Sequence, residues 1–171
     1  MNALRPLPGL VVAALTLVTD QLVKWWVAGP LALQERVMIE LLPVFRLTWA
    51  ENRGISLGLL TADSETERWG LVAMTALIAI GVIVWMFKEK ARADVMALGL
   101  VLGGALGNII DRVRFGFVVD FLDLHFGEFR PFMIFNIADA AISIGVLIIL
   151  ARSLFSGEKP KAETAPAAPE S

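Results

Sequence analysis

The sequence predicts an all-α membrane protein, in which a bundle of four transmembrane helices carries a small extracytoplasmic β-structure. The chain has 171 residues, which suits one domain, and 57% of them are hydrophobic. Soluble domains contain roughly 45–50% apolar residues. The excess lies in four runs, each close to the ~20 residues with which a helix crosses the hydrocarbon core. Lipid is therefore the expected solvent for most of this chain.

The composition also argues against several classes of function. A net charge of −2 provides no positive field to hold nucleic acid, so we expect no nucleic-acid partner. The chain has no cysteine, which excludes a disulfide framework and a thiol nucleophile. A single histidine argues against a zinc or di-iron centre, and we expect no metal site.

The four apolar runs predict the transmembrane helices, at positions 9–27, 69–87, 95–110 and 132–150. The second run contains no charged residue, and Trp69 and Trp85 near its two ends suit the membrane interface. Charged residues interrupt the first run, and no small-x-small cleavage site follows it. We therefore interpret it as a membrane span and not as a cleaved secretory signal.

The basic residues predict the orientation. The side that holds both termini carries a dense set close to the membrane: Arg5, Lys88, Lys90, Arg92, Arg152, Lys159 and Lys161. The opposite side carries an equal number, spread over longer loops. By the positive-inside rule we expect both termini in the cytoplasm.

The segments between the helices complete the predicted organisation. In the loop 28–68, apolar and polar residues alternate over 44–49 and 55–59, which predicts two short strands joined by a turn at Asn52, Arg53 and Gly54. An irregular connector is the alternative. The segment 156–171 is rich in Ala, Pro, Glu and Ser and is expected to be a disordered cytoplasmic tail. The remaining residues, 1–155, form the predicted membrane domain.

Polar residues cluster at one membrane face. The ends of the first and third helices and the start of the fourth meet there, and they carry Asp20, Gln21, Lys24, Asn108, Asp111, Arg112, Asn136 and Asp139. An ionisable group inside the membrane costs ~2.5–3.5 kcal/mol on insertion scales, so this cluster is expected to face the bundle interior or a wet cavity.

Each member of the cluster also has a plain structural interpretation. Asp20 and Lys24 have the spacing of an i, i+4 ion pair, and Asn136 suits a helix cap. Asp111 beside Arg112 is typical of a solvated helix end. Asp139 is harder to explain in this way, because apolar residues surround it.

Asp120 is the second unusual carboxylate. It lies in the apolar segment FGFVVDF, just beyond the third helix, where desolvation favours its neutral form. If Asp120 and Asp139 approach each other, like-charge repulsion lets the pair share one proton near neutral pH. One carboxylate then takes a proton from water while the other protonates a carbonyl oxygen, which is the chemistry of aspartic proteases. The sequence spacing of Asp120 and Asp139 alone does not prove that the two carboxylates meet.

Two other classes explain part of this pattern. A small proton or ion conduit, or a transporter subunit, also uses intramembrane carboxylates, but it requires polar groups through the full membrane thickness. A structural membrane subunit uses its charges only to hold helices together. Either class tolerates Asp120→Asn better than an aspartate pair does.

Several motifs together resemble the lipoprotein signal peptidases, also called signal peptidase II. They are TDQLVK at 19–24, Asn52-x-Gly54, GNIIDR at 107–112, GFVVDF at 116–121 and FNIADA at 135–140. The resemblance covers residues 9 to about 150, and the motifs lie in the family's order on four hydrophobic spans.

The resemblance implies an aspartic endopeptidase of the bacterial inner membrane, with a four-helix fold, a small β-cradle and its active site at the periplasmic face. Such enzymes remove the signal peptide from diacylglyceryl-modified prolipoproteins, on the N-terminal side of the lipidated cysteine. Asp120 and Asp139 match the catalytic pair. The supporting or substrate-binding positions are Asp20, Lys24, Asn52, Gly54, Asn108, Arg112 and Asn136.

The resemblance also implies the partners. We expect no cofactor, contact with membrane lipid, inhibition by globomycin-type cyclic peptides, and a monomeric enzyme. One departure concerns the substrate-covering loop, where Arg53 follows Asn52 and Leu57 stands near the position of an expected aromatic residue. The catalytic assignment does not depend on that loop.

Overall fold

Four long apolar helices dominate the computed structural model, which describes residues 5–55, 60–61, 64–127 and 129–155. The elements in chain order are α1 (Leu7–Ala28), α2 (Leu33–Arg36), β1 (Met38–Leu42), β2 (Phe45–Asn52), β3 (Gly54–Ile55), β4 (Leu60–Thr61), α3 (Glu65–Lys88), α4 (Arg92–Phe115), β5 (Val118–Leu124) and α5 (Ile137–Phe155). Helices α1, α3, α4 and α5 are long and apolar enough to cross a membrane. The predicted fold class, a four-helix membrane bundle with a small β-structure, is confirmed.

The helices differ in extent from their predicted runs, most clearly α4 and α5. Helix α4 continues past the predicted end at residue 110 to Phe115, and it stops at Gly116, whose φ of +85° suits a helix C-terminus. Helix α5 begins at Ile137 and not at 132, because Asn136 caps it and the preceding residues form a loop instead. The apolar side chains of that loop continue the hydrophobic pattern without being helical.

Helix α4 is the central helix, with α1, α3 and α5 packed around it. Small residues allow the close approach. A Cβ atom on Gly103 would lie 2.5 Å from the carbonyl oxygen of Ala13 in α1, and a Cβ on Gly104 would meet the carbonyl oxygen of Ala138 in α5. Helix α3 packs mainly against α4 and leaves most of its surface exposed, as expected for a lipid-facing helix.

A three-stranded antiparallel sheet lies at one end of the bundle, in the order β1-β2-β5. Its apolar side packs on the end of α1, in a cluster that includes Val27, Leu33, Leu47 and Phe121. We call this end the site end; α1 and α4 finish there, and α3 and α5 begin there. The sheet thus places β5 beside the start of α5.

The β-structure differs from the two predicted strands in its pairing. The alternating segment 44–49 forms most of β2, but β2 pairs with β1 and with the distant β5. Of the segment 55–59, only Ile55 is described, in β3, which pairs with β4. Leu57 and the tail 156–171 lie outside the described residues.

The close packing of α1 on α4 predicts an asymmetry between two Gly→Ala substitutions. We expect Gly103→Ala to destabilise the protein by about 1–3 kcal/mol, because the new methyl group overlaps backbone of α1. Gly81→Ala in α3 is the matched control, since nothing lies within 4 Å of its Cβ position. Thermal unfolding in detergent measures both variants. An equal melting temperature for the two would contradict the packing argument.

Candidate active site

The predicted polar cluster converges at the site end of the bundle. Seven polar or charged side chains are buried in the described part of the chain, and six of them meet here: Asp20, Lys24, Asn108, Asp111, Asp120 and Asn136. They come from α1, α4, β5 and the residue that precedes α5. Polar groups far apart in sequence thus form one hydrogen-bonded network.

Asp120 lies in the middle of β5, with both carboxylate oxygens bonded. The amide Nδ2 of Asn136 donates to Asp120 Oδ1 at 2.6 Å, and the amide Nδ2 of Asn52 donates to Oδ2 at 3.0 Å. Asn52 reaches this position because β2 runs antiparallel to β5, which pairs Ala50 with Asp120. Neutral amides therefore hold a buried carboxylate without an ion pair.

Asp139 occupies the first turn of α5 and forms a reciprocal cap with Asn136. The backbone N–H of Asp139 donates to Asn136 Oδ1 at 2.9 Å, and the backbone N–H of Asn136 donates to Asp139 Oδ2 at 3.2 Å. Asn108 of α4 donates to the other oxygen, Asp139 Oδ1, at 2.8 Å. The cap fixes the side-chain direction of Asp139 at the start of the helix.

Asn136 thus contacts both aspartates at once. Its side-chain amide bonds Asp120 and its backbone N–H bonds Asp139, so the two carboxylates lie on either side of one residue. Burial, and next the charge of Asp139, raise the pKa of Asp120 to about 7. The protonated form of Asp120 is therefore well populated near neutral pH.

Arg112 and Gly54 border the pair on the side of the loop after β2. Arg112 Nη2 donates to the Gly54 carbonyl at 3.0 Å, and the Gly54 N–H donates to Asn52 Oδ1 at 3.1 Å. The guanidinium is also close enough to interact electrostatically with Asp120 and Asp139. Its buried Nε has no hydrogen-bond partner among the described residues.

Asp20 and Lys24 lie behind the pair and not against it. The Lys24 ammonium forms ion pairs with Asp20 Oδ2 at 2.9 Å and with Asp111 Oδ2 at 2.8 Å. Its third hydrogen bond goes to Asn108 Oδ1 at 3.2 Å, so the hydrogen-bonded path from Lys24 to Asp139 runs through that amide. The predicted i, i+4 ion pair of Asp20 and Lys24 is present.

Asp111 was predicted to belong to the polar cluster but was not among the supporting site positions. Its alternative interpretation as a solvated helix end is wrong, because Asp111 is fully buried and α4 continues past it. The sequence signal was its spacing from Asn108, which puts both on one face of α4, the face toward α1.

A groove of about 570 Å³ opens beside the aspartate pair. Polar groups of Asn52, Asp139 and Ser143 line it together with apolar side chains from the loop before α5 and from α5 itself: Pro131, Phe132, Met133, Ile134, Phe135, Ala140, Ile142 and Ile144. An apolar, elongated ligand fits this lining. One of the two carboxylates is therefore directly accessible to whatever occupies the groove.

Comparison with known proteins decides the family. The sequence model of the Peptidase_A8 family, described as signal peptidase (SPase) II, matches residues 12–155. The chain belongs to the signal peptidase II family. A lipoprotein signal peptidase of Sphingopyxis alaskensis is 58% identical over 88% of this chain and 87% of its own length. One from Rhizorhabdus wittichii is 58% identical over 90% of this chain and 89% of its own.

Solved structures agree with this family membership. A bacterial membrane enzyme solved by the in meso method at 2.3 Å resolution superposes with a TM-score of 0.77 and 28% identity, covering 92% of this chain and 94% of that chain. A second such enzyme, solved at 1.9 Å, gives a TM-score of 0.72 and 30% identity over 88% and 94% of the two chains. As a signal peptidase II the protein is a membrane-embedded protease, and the ion-conduit alternative is not favoured.

The double role of Asn136 predicts a larger loss than an ordinary helix cap. Asn136→Ala removes the cap of α5 and a hydrogen bond to the buried Asp120, so we expect a destabilisation of about 2–4 kcal/mol and a strong loss of peptidase activity. Ser64→Ala is the matched control. It removes only the exposed cap of α3, at about 1 kcal/mol, and should keep the activity. Melting temperature and cleavage rate distinguish the two, and equal effects would contradict this role.

Proposed function

We propose that this protein is the aspartic endopeptidase that removes the signal peptide from diacylglyceryl-modified prolipoproteins, on the N-terminal side of the lipidated cysteine. One observation carries the proposal: two aspartates, the buried Asp120 and the part-buried Asp139, flank Asn136 beside an apolar groove at one end of a membrane bundle. The named relatives are lipoprotein signal peptidases, which supports the same substrate class.

The chemistry assigns different roles to the two carboxylates. Asp120 is the more enclosed group, with a pKa raised to about 7 by burial and by the charge of Asp139, and it supplies the acidic proton. Asp139 faces the groove and acts as the general base on a water molecule. The water oxygen attacks the scissile carbonyl carbon as Asp139 takes its proton and Asp120 protonates the carbonyl oxygen.

Breakdown of the tetrahedral intermediate completes the reaction. Asp139 returns its proton to the leaving nitrogen, Asp120 recovers its own from the hydroxyl, and the carbon–nitrogen bond breaks. The products are the signal peptide with a new carboxylate and the lipoprotein with a free amine on its lipidated cysteine. Water is the only co-reactant that this hydrolysis requires.

The remaining predicted residues support the substrate and the pair. Arg112 lies near both aspartates, and its positive charge can stabilise negative charge on the pair during the reaction. Asn52 positions Asp120 and, through its contact with the Gly54 N–H, the loop that borders the site. Asn108 and Asn136 orient the carboxylates.

The site suits a substrate that is itself in the membrane. A signal peptide is an apolar helix, and the groove beside Asp139 is apolar and lies on the bundle surface along α5. The scissile bond reaches the aspartates at the site end while the lipid chains stay in the hydrocarbon layer. Polar side chains at this level keep water available for the hydrolysis.

The proposed location follows from charge and from substrate. The density of basic residues near the membrane supports a location in the bacterial inner membrane with both termini in the cytoplasm and the site end at the periplasmic face. We propose a monomer in contact with lipid, with residues 1–155 as the peptidase domain and globomycin-type cyclic peptides as inhibitors of the groove.

The assignment of the pair predicts the effect of two substitutions. Asp120→Asn and Asp139→Asn should each abolish cleavage of a lipid-modified precursor peptide while the protein stays folded, because neither amide can replace a proton-carrying carboxylate. The assay uses purified enzyme with and without globomycin. Asp123→Asn is the matched control, since Asp123 is a buried aspartate of the same strand that pairs with Arg46 instead. Substantial cleavage by either pair variant would reject the mechanism.

The same pair predicts the pH dependence of cleavage. Asp120 has a pKa of about 7 and must be protonated to act as the acid, so activity is present below pH 7 and is lost as the pH rises through that value. We expect kcat/KM to fall roughly tenfold for each pH unit above about 7.5. Melting temperatures over the same range separate this loss from unfolding. A flat profile from pH 6 to pH 9 would contradict the role of Asp120.

A further inference from the structure

Behind the active site, Lys24 joins two carboxylates that each hold one half of the aspartate pair. We call Asp20, Lys24 and Asp111 the lysine bridge. Asp20 Oδ1 accepts the backbone N–H of Ala138 at 3.0 Å, and Asp111 Oδ2 accepts the backbone N–H of Val119 at 3.2 Å. Ala138 immediately precedes Asp139, and Val119 immediately precedes Asp120.

The two halves of the lysine bridge therefore have the same construction. On each side a carboxylate holds the peptide N–H just before a proposed catalytic aspartate, and one ammonium binds both carboxylates, at 2.9 Å and 2.8 Å. Asp20 acts here as a cap for α5 that is supplied by α1, and Asp111 fixes the inner edge of β5 from α4. The separation between strand and helix is then set by Lys24.

The environment makes this connection stiff. Asp20 and Asp111 are fully buried and Lys24 is 4% exposed, so bulk water has little access to these contacts. All three ammonium hydrogens are used, the third on Asn108 Oδ1, which leaves the amide Nδ2 of Asn108 pointing to Asp139. Gly107 allows the approach, because a Cβ there would lie 2.5 Å from Asp20 Oδ2.

We propose that Lys24 is a positioning residue that sets the spacing between Asp120 and Asp139 through Asp20 and Asp111. This inference rests on the proposed function for its kinetic consequence only. The structural part of the inference is that one ammonium holds two peptide N–H groups through two carboxylates. This part can be measured without substrate.

Amide hydrogen exchange of Val119 and Ala138, followed by NMR on selectively ¹⁵N-labelled protein in detergent micelles, tests the structural content. Asp111→Asn should raise the exchange rate of Val119 about tenfold and leave Ala138 within about twofold, because a neutral amide accepts more weakly than a carboxylate. Asp20→Asn should do the reverse. Lys24→Met should raise both rates about tenfold.

Cleavage of a lipidated precursor peptide by the same variants tests the kinetic consequence. We expect Lys24→Met to lower kcat about 10- to 100-fold, the loss associated with small displacements of catalytic groups, while KM changes by less than about twofold. We expect kcat to change more than KM because no residue of the lysine bridge lines the groove beside Asp139.

Asp94→Asn is the matched control. Asp94 of α4 pairs with Arg152 of α5 at 2.6 Å, about 25 Å from Asp111 along α4. It should change neither the two exchange rates nor kcat. This control removes a helix–helix ion pair without touching the site end.

The outcomes separate the possibilities. The inference is overturned if every variant raises the exchange rates of both amides, or if Lys24→Met raises neither. An unchanged kcat in Lys24→Met also overturns it. If Lys24→Met does not fold, the test is whether Asp111→Asn affects only Val119 and Asp20→Asn only Ala138. Failure of all three variants to fold would show a purely structural role for the lysine bridge and would also overturn the inference. If instead Asp120→Asn still cleaves substrate, the proposed function fails while the exchange pattern stands or falls on its own.

Discussion

Removing two neighbouring carboxylates from water is the constraint around which the site end is arranged. A buried carboxylate without partners costs several kcal/mol, and two of them repel each other as well. The contacts to Asp120 and Asp139 come from the amides of Asn52, Asn108 and Asn136. These donors stabilise the carboxylates without adding a positive charge that would hold both of them ionised. The pair therefore keeps one proton to exchange with a substrate.

Of the two positive charges in the cluster, Arg112 borders the pair and Lys24 lies behind it. Lys24 touches Asn108 and two other carboxylates but neither member of the pair. Lys24 therefore connects to the pair through backbone and amide contacts, and its charge also acts on Asp120 directly.

Local sequence patterns predicted most of the fold and part of the site. Apolar runs identified four spans because lipid imposes a length and a composition on each helix. The pairing of β2 with β5 was not predictable, because the two strands lie far apart in sequence and nothing local specifies the partner. The start of α5 was missed for a physical reason: residues 132–135 are apolar enough for a span, but Asn136 caps the helix after them. The burial of Asp111 depends on the close approach of α1, which only the folded bundle shows.

The absence of a side chain at Gly107 has an evolutionary consequence. At that point α1 and α4 approach so closely that a single methyl group would collide with the Asp20 carboxylate. Mutations that loosen this contact to suit colder growth or a thicker bilayer would also disturb the chemistry. Adaptation to a new lipid environment must then be concentrated in α3, whose surface is mostly exposed and whose packing partner is mainly α4. Among related sequences, that helix should diverge fastest in composition and length.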